Sequence, residues 1–231
     1  GVNAGVMADP ATMVEAARTA EAAGWESIWT GEHLVAVSPQ RPPSPVRPDT
    51  HFVDQVAALA HLAAHTTTLR LGTGIVILPQ RNPVVLAKEL ASIDVLSGGR
   101  LEAGFGVGYV PAEFDAVGVP FSERGARMDD HIDALRAMWR GDLEFEGPFT
   151  SWHGVEAHPR PVGPDGPPIH IGGRSPATFR RAVLRGNGWY GFLTTLTSTE
   201  AALGNIQRRL SELERPPHLG QIQISVTPSE P

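Results

Sequence analysis

Four short clusters in this chain bring together residue types capable of chemistry. Glu32 and His33 follow the apolar run 27–30. An imidazole at a strand end can hydrogen-bond a cofactor ring or shuttle a proton near neutral pH; a loop histidine capping the strand end is the plainer alternative. Gly72-Thr73-Gly74-Ile75 lies inside an otherwise apolar, β-branched run over 71–77. Two glycines there suit a bulge, or a cis non-proline bond, beneath a planar ring, and packing glycines are the alternative. Gly106-Val107-Gly108-Tyr109 leads into Pro111-Ala112-Glu113. Glu113 is a candidate acid, or simply a favourable first-turn carboxylate of the helix that Pro111 opens. Gly172-Gly173-Arg174-Ser175 joins the apolar run 168–171 to a helix beginning at Pro176. Free N–H groups, the helix dipole, a hydroxyl and a guanidinium would meet there and suit a phosphate; simple helix capping would explain the same residues.

Each cluster sits where an inferred strand ends, so the strands must be parallel for the clusters to share one face. The order of elements agrees. Runs at 2–7, 27–30, 71–77, 100–107, 168–171, 189–193 and 221–227 read as strands. Helical periodicity or composition covers 11–23, 52–65, 84–96, 122–139, 176–184 and 199–213 between them. Strand and helix alternating over short links predict a parallel α/β fold in one domain, 1–231. The count is about seven strands, where a closed (β/α)8 barrel needs eight. Two segments break the rhythm. Residues 34–51 hold Pro39, Pro42, Pro43, Pro45 and Pro48 and read as a lid or binding loop. Residues 141–166 read as a polar, Pro- and Gly-broken excursion with room for a short hairpin.

Bulk properties narrow the function classes. A formal net charge of -6 offers no electrostatic case for nucleic acid or an acidic membrane. No apolar run approaches the ~20 residues of a bilayer span, and no basic segment followed by an apolar one suggests export. With no cysteine, disulfides, thiolate metal sites and cysteine nucleophiles are excluded. A cytoplasmic protein is the expectation. The phosphate-binding lysine motif, H-E-x-x-H and G-x-S-x-G are all missing. The nine histidines are scattered, none read as pairing with another at metal-ligand spacing within one element, so no metal is expected.

Taken together, AARTAEAAGWESIWTGEH, LRLGTGIVILPQRNPVVLAKELASIDVLSGGRLEAGFGVGYVPAEF, FSERGARMDDHIDALRAMW and PPIHIGGRSPATFRRAVLRGNGW resemble the bacterial luciferase-like oxidoreductases. The likeness is greatest to their deazaflavin (coenzyme F420) branch. It spans nearly the whole chain, and the middle block is its most specific part. It implies a (β/α)8 barrel holding coenzyme F420, or alternatively FMN, at the C-terminal ends of the strands. The implied activity is hydride transfer between reduced F420 and a small organic substrate. An FMN-dependent monooxygenase and a catalytically idle cofactor-binding relative are the alternatives. A homodimer is also implied. Carried over by position, His33 lies near the ring, Gly74 and Ile75 form the bulge, often a cis peptide, that backs it, and Thr73 beside them counts with the cofactor-binding residues. Gly106 and Gly108 border the cleft, Gly172, Gly173, Arg174 and Ser175 hold the cofactor phosphate, and Glu113 falls in the family's acidic segment. Two departures stand out. Asn187 occupies a place where the family commonly has Asp. The family also continues past the strand 221–227 through further helix and a last strand, whereas this chain stops at Pro231, so the expected barrel lacks its last unit.

Overall fold

The computed structural model describes residues 2–3 and 9–229. In chain order its elements begin with β1 (Val2–Asn3), α1 (Pro10–Ala22), β2 (Ser27–Thr30), α2 (Gln55–Ala63), β3 (Arg70–Thr73), β4 (Val76–Ile77) and α3 (Pro83–Ser97). There follow β5 (Leu101–Gly106), α4 (Pro111–Ala116), α5 (Arg124–Arg140), the hairpin strands β6 (Glu144–Glu146) and β7 (Ser151–His153), β8 (Ile169–Gly172), α6 (Pro176–Leu184), β9 (Gly188–Thr194), α7 (Leu196–Glu212) and β10 (Gln223–Pro228). The first strand expected from the sequence is described only at Val2 and Asn3, which pair with Ile28 and Trp29; the remainder of 2–7 lies outside the described residues.

Parallel pairing runs β1-β2-β3-β5-β8-β9-β10, with β4 beside β5. The sheet curls as a half-barrel with helices on its outer face, and among the described residues no ladder joins β10 to β1. Helix starts follow local chemistry. Asp9, Asn82 and Ser175 each accept backbone N–H groups of the turn they open, and each is followed by proline, whose missing N–H costs nothing at that position. Asp54 starts α2 three residues later than the periodicity suggested, because its carboxylate accepts from Val56 and Ala57. α3 and α5 stop at Gly98 and Gly141, both in the left-handed conformation that glycine adopts without a Cβ clash.

Alternation along each strand divides the core in two. Ile28, Leu71, Leu101, Ala103, Ile169, Ile171 and Trp189 pack with Leu62, Leu86, Leu90, Ile132 and Phe179 of the helices. The neighbouring residues Trp29, Gly72, Glu102, Gly104, His170 and Tyr190 belong to the opposite, concave face. There Trp29 stacks on Tyr190 at a centroid separation of 4.5 Å and meets His170 edge-on at 5.4 Å. This explains two of the glycines. A Cβ on Gly72 would lie 2.3 Å from the Trp29 indole, and one on Gly104 would lie 2.0 Å from the Thr73 carbonyl oxygen.

The single strand expected over 71–77 is broken in two. Leu71 pairs with Leu101 but Val76 pairs with Phe105, so five steps on one strand match four on the other, a one-residue bulge. Inside it, the Gly74–Ile75 peptide is cis. The helix expected from 122 splits likewise: a 3-10 turn, Phe121–Glu123, precedes α5. The excursion at 141–166 does contain a hairpin, β6 with β7, closed by stacked Phe145 and Trp152.

Candidate active site at the strand ends

His33 leaves the end of β2, and Glu113 stands in the first turn of α4 beyond β5. The half-barrel brings these side chains together, with His33 Nδ1 2.5 Å from Glu113 Oε1. Both are largely sheltered, at 13% and 3% side-chain exposure. The carboxylate fixes one imidazole nitrogen and leaves the other for a second partner. Gln80 Nε2 approaches Glu113 Oε2 at 3.5 Å, and the rings of Phe52 and Tyr109 meet the imidazole edge-on. Glu113 is thus more than a first-turn acid: its carboxylate turns away from the helix end to a histidine on another strand.

A second polar cluster braces this one. Glu32, next to His33, accepts from the Ile77 amide at 2.7 Å and is ion-paired with Arg81, which also reaches Asp54 at 2.7 Å. Burial pushes the Glu32 carboxyl above the ordinary carboxylate range despite that guanidinium. Gln55, the first residue of α2, sends Nε2 to the carbonyls of Thr30 (2.6 Å) and Ile75 (3.2 Å), clamping β2 to the bulge. Sequence reasoning passed over Gln55, Gln80 and Arg81. The only signal was their position beside strand ends, since nothing in their spacing pairs them with Glu32 or Glu113.

Thr73 is fully buried, and its hydroxyl donates to the Gly104 carbonyl (2.8 Å) and accepts from the Gly104 amide (2.6 Å). Its side chain therefore ties β3 to β5. Gly106 and Gly172 flank Ile75, whose side chain would lie 2.4 and 2.8 Å from Cβ atoms at those positions. Gly108, at φ +74°, leaves room for Ile77 and Phe114. Close packing accompanies all three; Gly106 and Gly172 let Ile75 project beside the cis peptide.

At the fourth cluster Ser175 is the N-cap of α6, accepting from the Thr178 amide at 3.2 Å. Arg174 sends Nη2 to the carbonyls of Phe192 and Leu193 at 2.8 and 3.0 Å, so its guanidinium supports the end of β9. Gly173 has φ +116° and anchors the Trp189 indole N–H through its carbonyl at 2.8 Å. Residues 173–177 are exposed at the same end of the sheet as His33 and Glu113.

Histidine spacing needs correction. His61 and His65 are four residues apart around the C-terminal end of α2, their ring centroids separated by 4.6 Å, which is a metal-ligand spacing. Among the described residues, however, no group of three or more His, Cys, Asp or Glu side chains is placed to hold a metal. Nor does any described helix have the length and apolarity to cross a membrane.

Known proteins share the sequence pattern and the fold of this chain. The profile described as luciferase-like monooxygenase matches residues 1–229. The oxygenase component of flavin-dependent trigonelline monooxygenase from Acinetobacter baylyi is 34% identical over 176 residues, covering 75% of this chain and 46% of its own length. This chain thus spans less than half of that relative. The crystal structure of monooxygenase RslO1 from Streptomyces bottropensis superposes with a TM-score of 0.77 at 27% identity, covering 97% of this chain and 69% of that one. The coenzyme F420-dependent tetrahydromethanopterin reductase of Methanopyrus kandleri shares the fold, with a TM-score of 0.78 at 21% identity over 98% of this chain and 64% of that one. The chain belongs to the luciferase-like monooxygenase family.

Proposed function

We propose that this chain forms the cofactor-binding part of an oxidoreductase that works with a flavin or deazaflavin ring on a small organic substrate at the strand ends. The observation that carries the reading is the His33–Glu113 pair at 2.5 Å beside the Gly74–Ile75 bulge. A planar, phosphorylated cofactor fits the residues present. Ile75 and its peptide offer an apolar shelf, made possible by Gly106 and Gly172. The exposed 173–177 turn offers the N-terminus of a nine-residue helix to a phosphate, with backbone amides rather than the Arg174 guanidinium as the main donors.

When bound, coenzyme F420 supplies hydride transfer, and FMN supplies that together with oxygen activation. His33 would hold the polar edge of the ring or pass a proton, and Glu113 would set its orientation and keep one ring nitrogen occupied. Glu32, Arg81 and Gln55 would hold the loop and bulge that carry these groups. The proline-rich 34–51 segment would cover the substrate and keep water out. Hydride transfer with F420 is the reading we favour from the sequence resemblance. An FMN-dependent monooxygenase is the second reading, favoured by the flavin-dependent relative at 34% identity. A second copy of the chain is the expected partner.

The test is a fluorescence titration of the chain with oxidised F420 and, separately, FMN, repeated on Gly173→Val. Saturable binding of one cofactor, weakened at least about tenfold by the substitution, supports the reading and names the cofactor. Binding of neither would sink it for this chain.

A further inference from the structure

At the opposite end of the sheet, where β8 and β9 begin, a cationic cavity lies between α5, α6 and the Pro217–Leu219 turn. Its volume is about 290 Å³; Arg136, Arg140, Arg185, His218 and one acid, Asp133, line it, with Phe145 and Leu219 among its apolar walls. Arg185 is neutralised by Asp133 at 3.0 Å, and Arg140 by Asp142 at 2.5 Å. Arg136 is different. It is 8% exposed, and its Nη2 donates to two neutral acceptors, the Arg185 carbonyl at 3.1 Å and Asn187 Oδ1 at 2.9 Å. Its Nε has no hydrogen-bond partner, and no ion pair to it is formed among the described residues.

A buried guanidinium without a counter-charge is costly, and a bound anion would relieve that cost. Burial does push Arg136 down to about 10, although Asp165 and Asp133 attract it from farther away and Arg140 and Arg215 repel it. The neutral partner is itself fixed. Asn187 Oδ1 accepts from the Ile169 amide at 2.9 Å, its amide donates to the Ile169 carbonyl at 2.7 Å, and its carbonyl accepts from Gln223 at 2.9 Å. Asn187 thus ties the starts of three strands and cannot swing away to admit a carboxylate from elsewhere in the chain.

We infer that this cavity is a binding site for a small tetrahedral oxyanion of the phosphate class, recognised by Arg136 with Arg140, Arg185 and His218 around it. The site is separate from the strand-end phosphate turn and lies at the other end of the sheet. Asn187 sets its charge: an aspartate of the same shape there would neutralise Arg136 internally and leave no call for a bound anion.

Calorimetric titration of the chain with inorganic phosphate, at ionic strength matched with sodium chloride, tests this. Wild type and Gly173→Val are expected to bind phosphate at this site alike. Asn187→Asp, which keeps the Ile169 contacts, is expected to weaken binding by at least about tenfold and to raise the melting temperature measured without phosphate. Glycerol 3-phosphate in a parallel arm tells a free oxyanion from an esterified one, and binding of either at the Asn187-sensitive site supports the assignment. No phosphate binding by wild type, or binding lost in Gly173→Val and kept in Asn187→Asp, would overturn it.

Discussion

His33 and Glu113, eighty positions apart in the chain, meet at 2.5 Å through Nδ1 and Oε1. The contact exists because β2 and β5 are separated by only one strand and both end on the same side. Glu113→Gln keeps the shape and removes the charge. It is expected to cut turnover of the cofactor-loaded protein by roughly 10²- to 10⁴-fold, the usual contribution of a positioned acid or base, with little change in melting temperature. Steady-state kinetics beside a thermal melt check this; unchanged turnover removes the pair from the mechanism.

Gln55 holds the bulge from outside the strand, through the Thr30 and Ile75 carbonyls. Gln55→Leu removes the buried bond to Thr30 and leaves the half-buried Ile75 carbonyl without this donor, and is expected to destabilise the fold by about 1–3 kcal/mol. Urea unfolding measures the loss. Cofactor affinity in the same variant reports whether the shelf moves with it.

Gly104→Ala places a methyl where the Thr73 carbonyl oxygen lies 2.0 Å away, and backbone cannot yield as a flexible side chain would. A loss of at least about 1–3 kcal/mol is expected, seen as a lower urea midpoint at unchanged slope. Gly204→Ala, with nothing within 4 Å of its Cβ and a place inside α7, serves as the control and is expected to stabilise slightly.

Glu21 on α1 accepts the amides of Thr67, Thr68 and Leu69 at 2.8, 2.6 and 2.9 Å, and these bonds, Thr68 foremost, lower its carboxyl from 4.5 to about 2. A depressed acid stabilises the fold above its unfolded value and loses that contribution as pH falls through the folded one. Glu21→Gln is therefore expected to cost about 1 kcal/mol at pH 7, a figure discounted for solvent screening. The difference from wild type should shrink as pH falls from 4.5 towards about 2. Urea midpoints across that range check the sign.

The sequence alone determined the parallel α/β alternation, because burial on both faces leaves strands such as β5 mostly apolar, with Glu102 its one charged residue, while helices carry caps and glycine stops in their own residues. The glycines of 72–75 marked a candidate bulge by their own pattern, while its placing at Gly74–Ile75 and the acidic segment holding Glu113 came from the family resemblance. The sequence did not show that the hydroxyl of Thr73 is consumed by Gly104, that Ile75 fills the space beside Gly106 and Gly172, or that Arg174 serves two carbonyls of β9. Those facts depend on which side chains from distant strands share a face after the sheet curls. Only the tertiary structure decided that Glu113 faces a histidine, that Glu32 is braced by Arg81, and that Arg136 is buried against a neutral Asn187. Each is a long-range electrostatic pairing, and a one-dimensional pattern holds no distance between its partners.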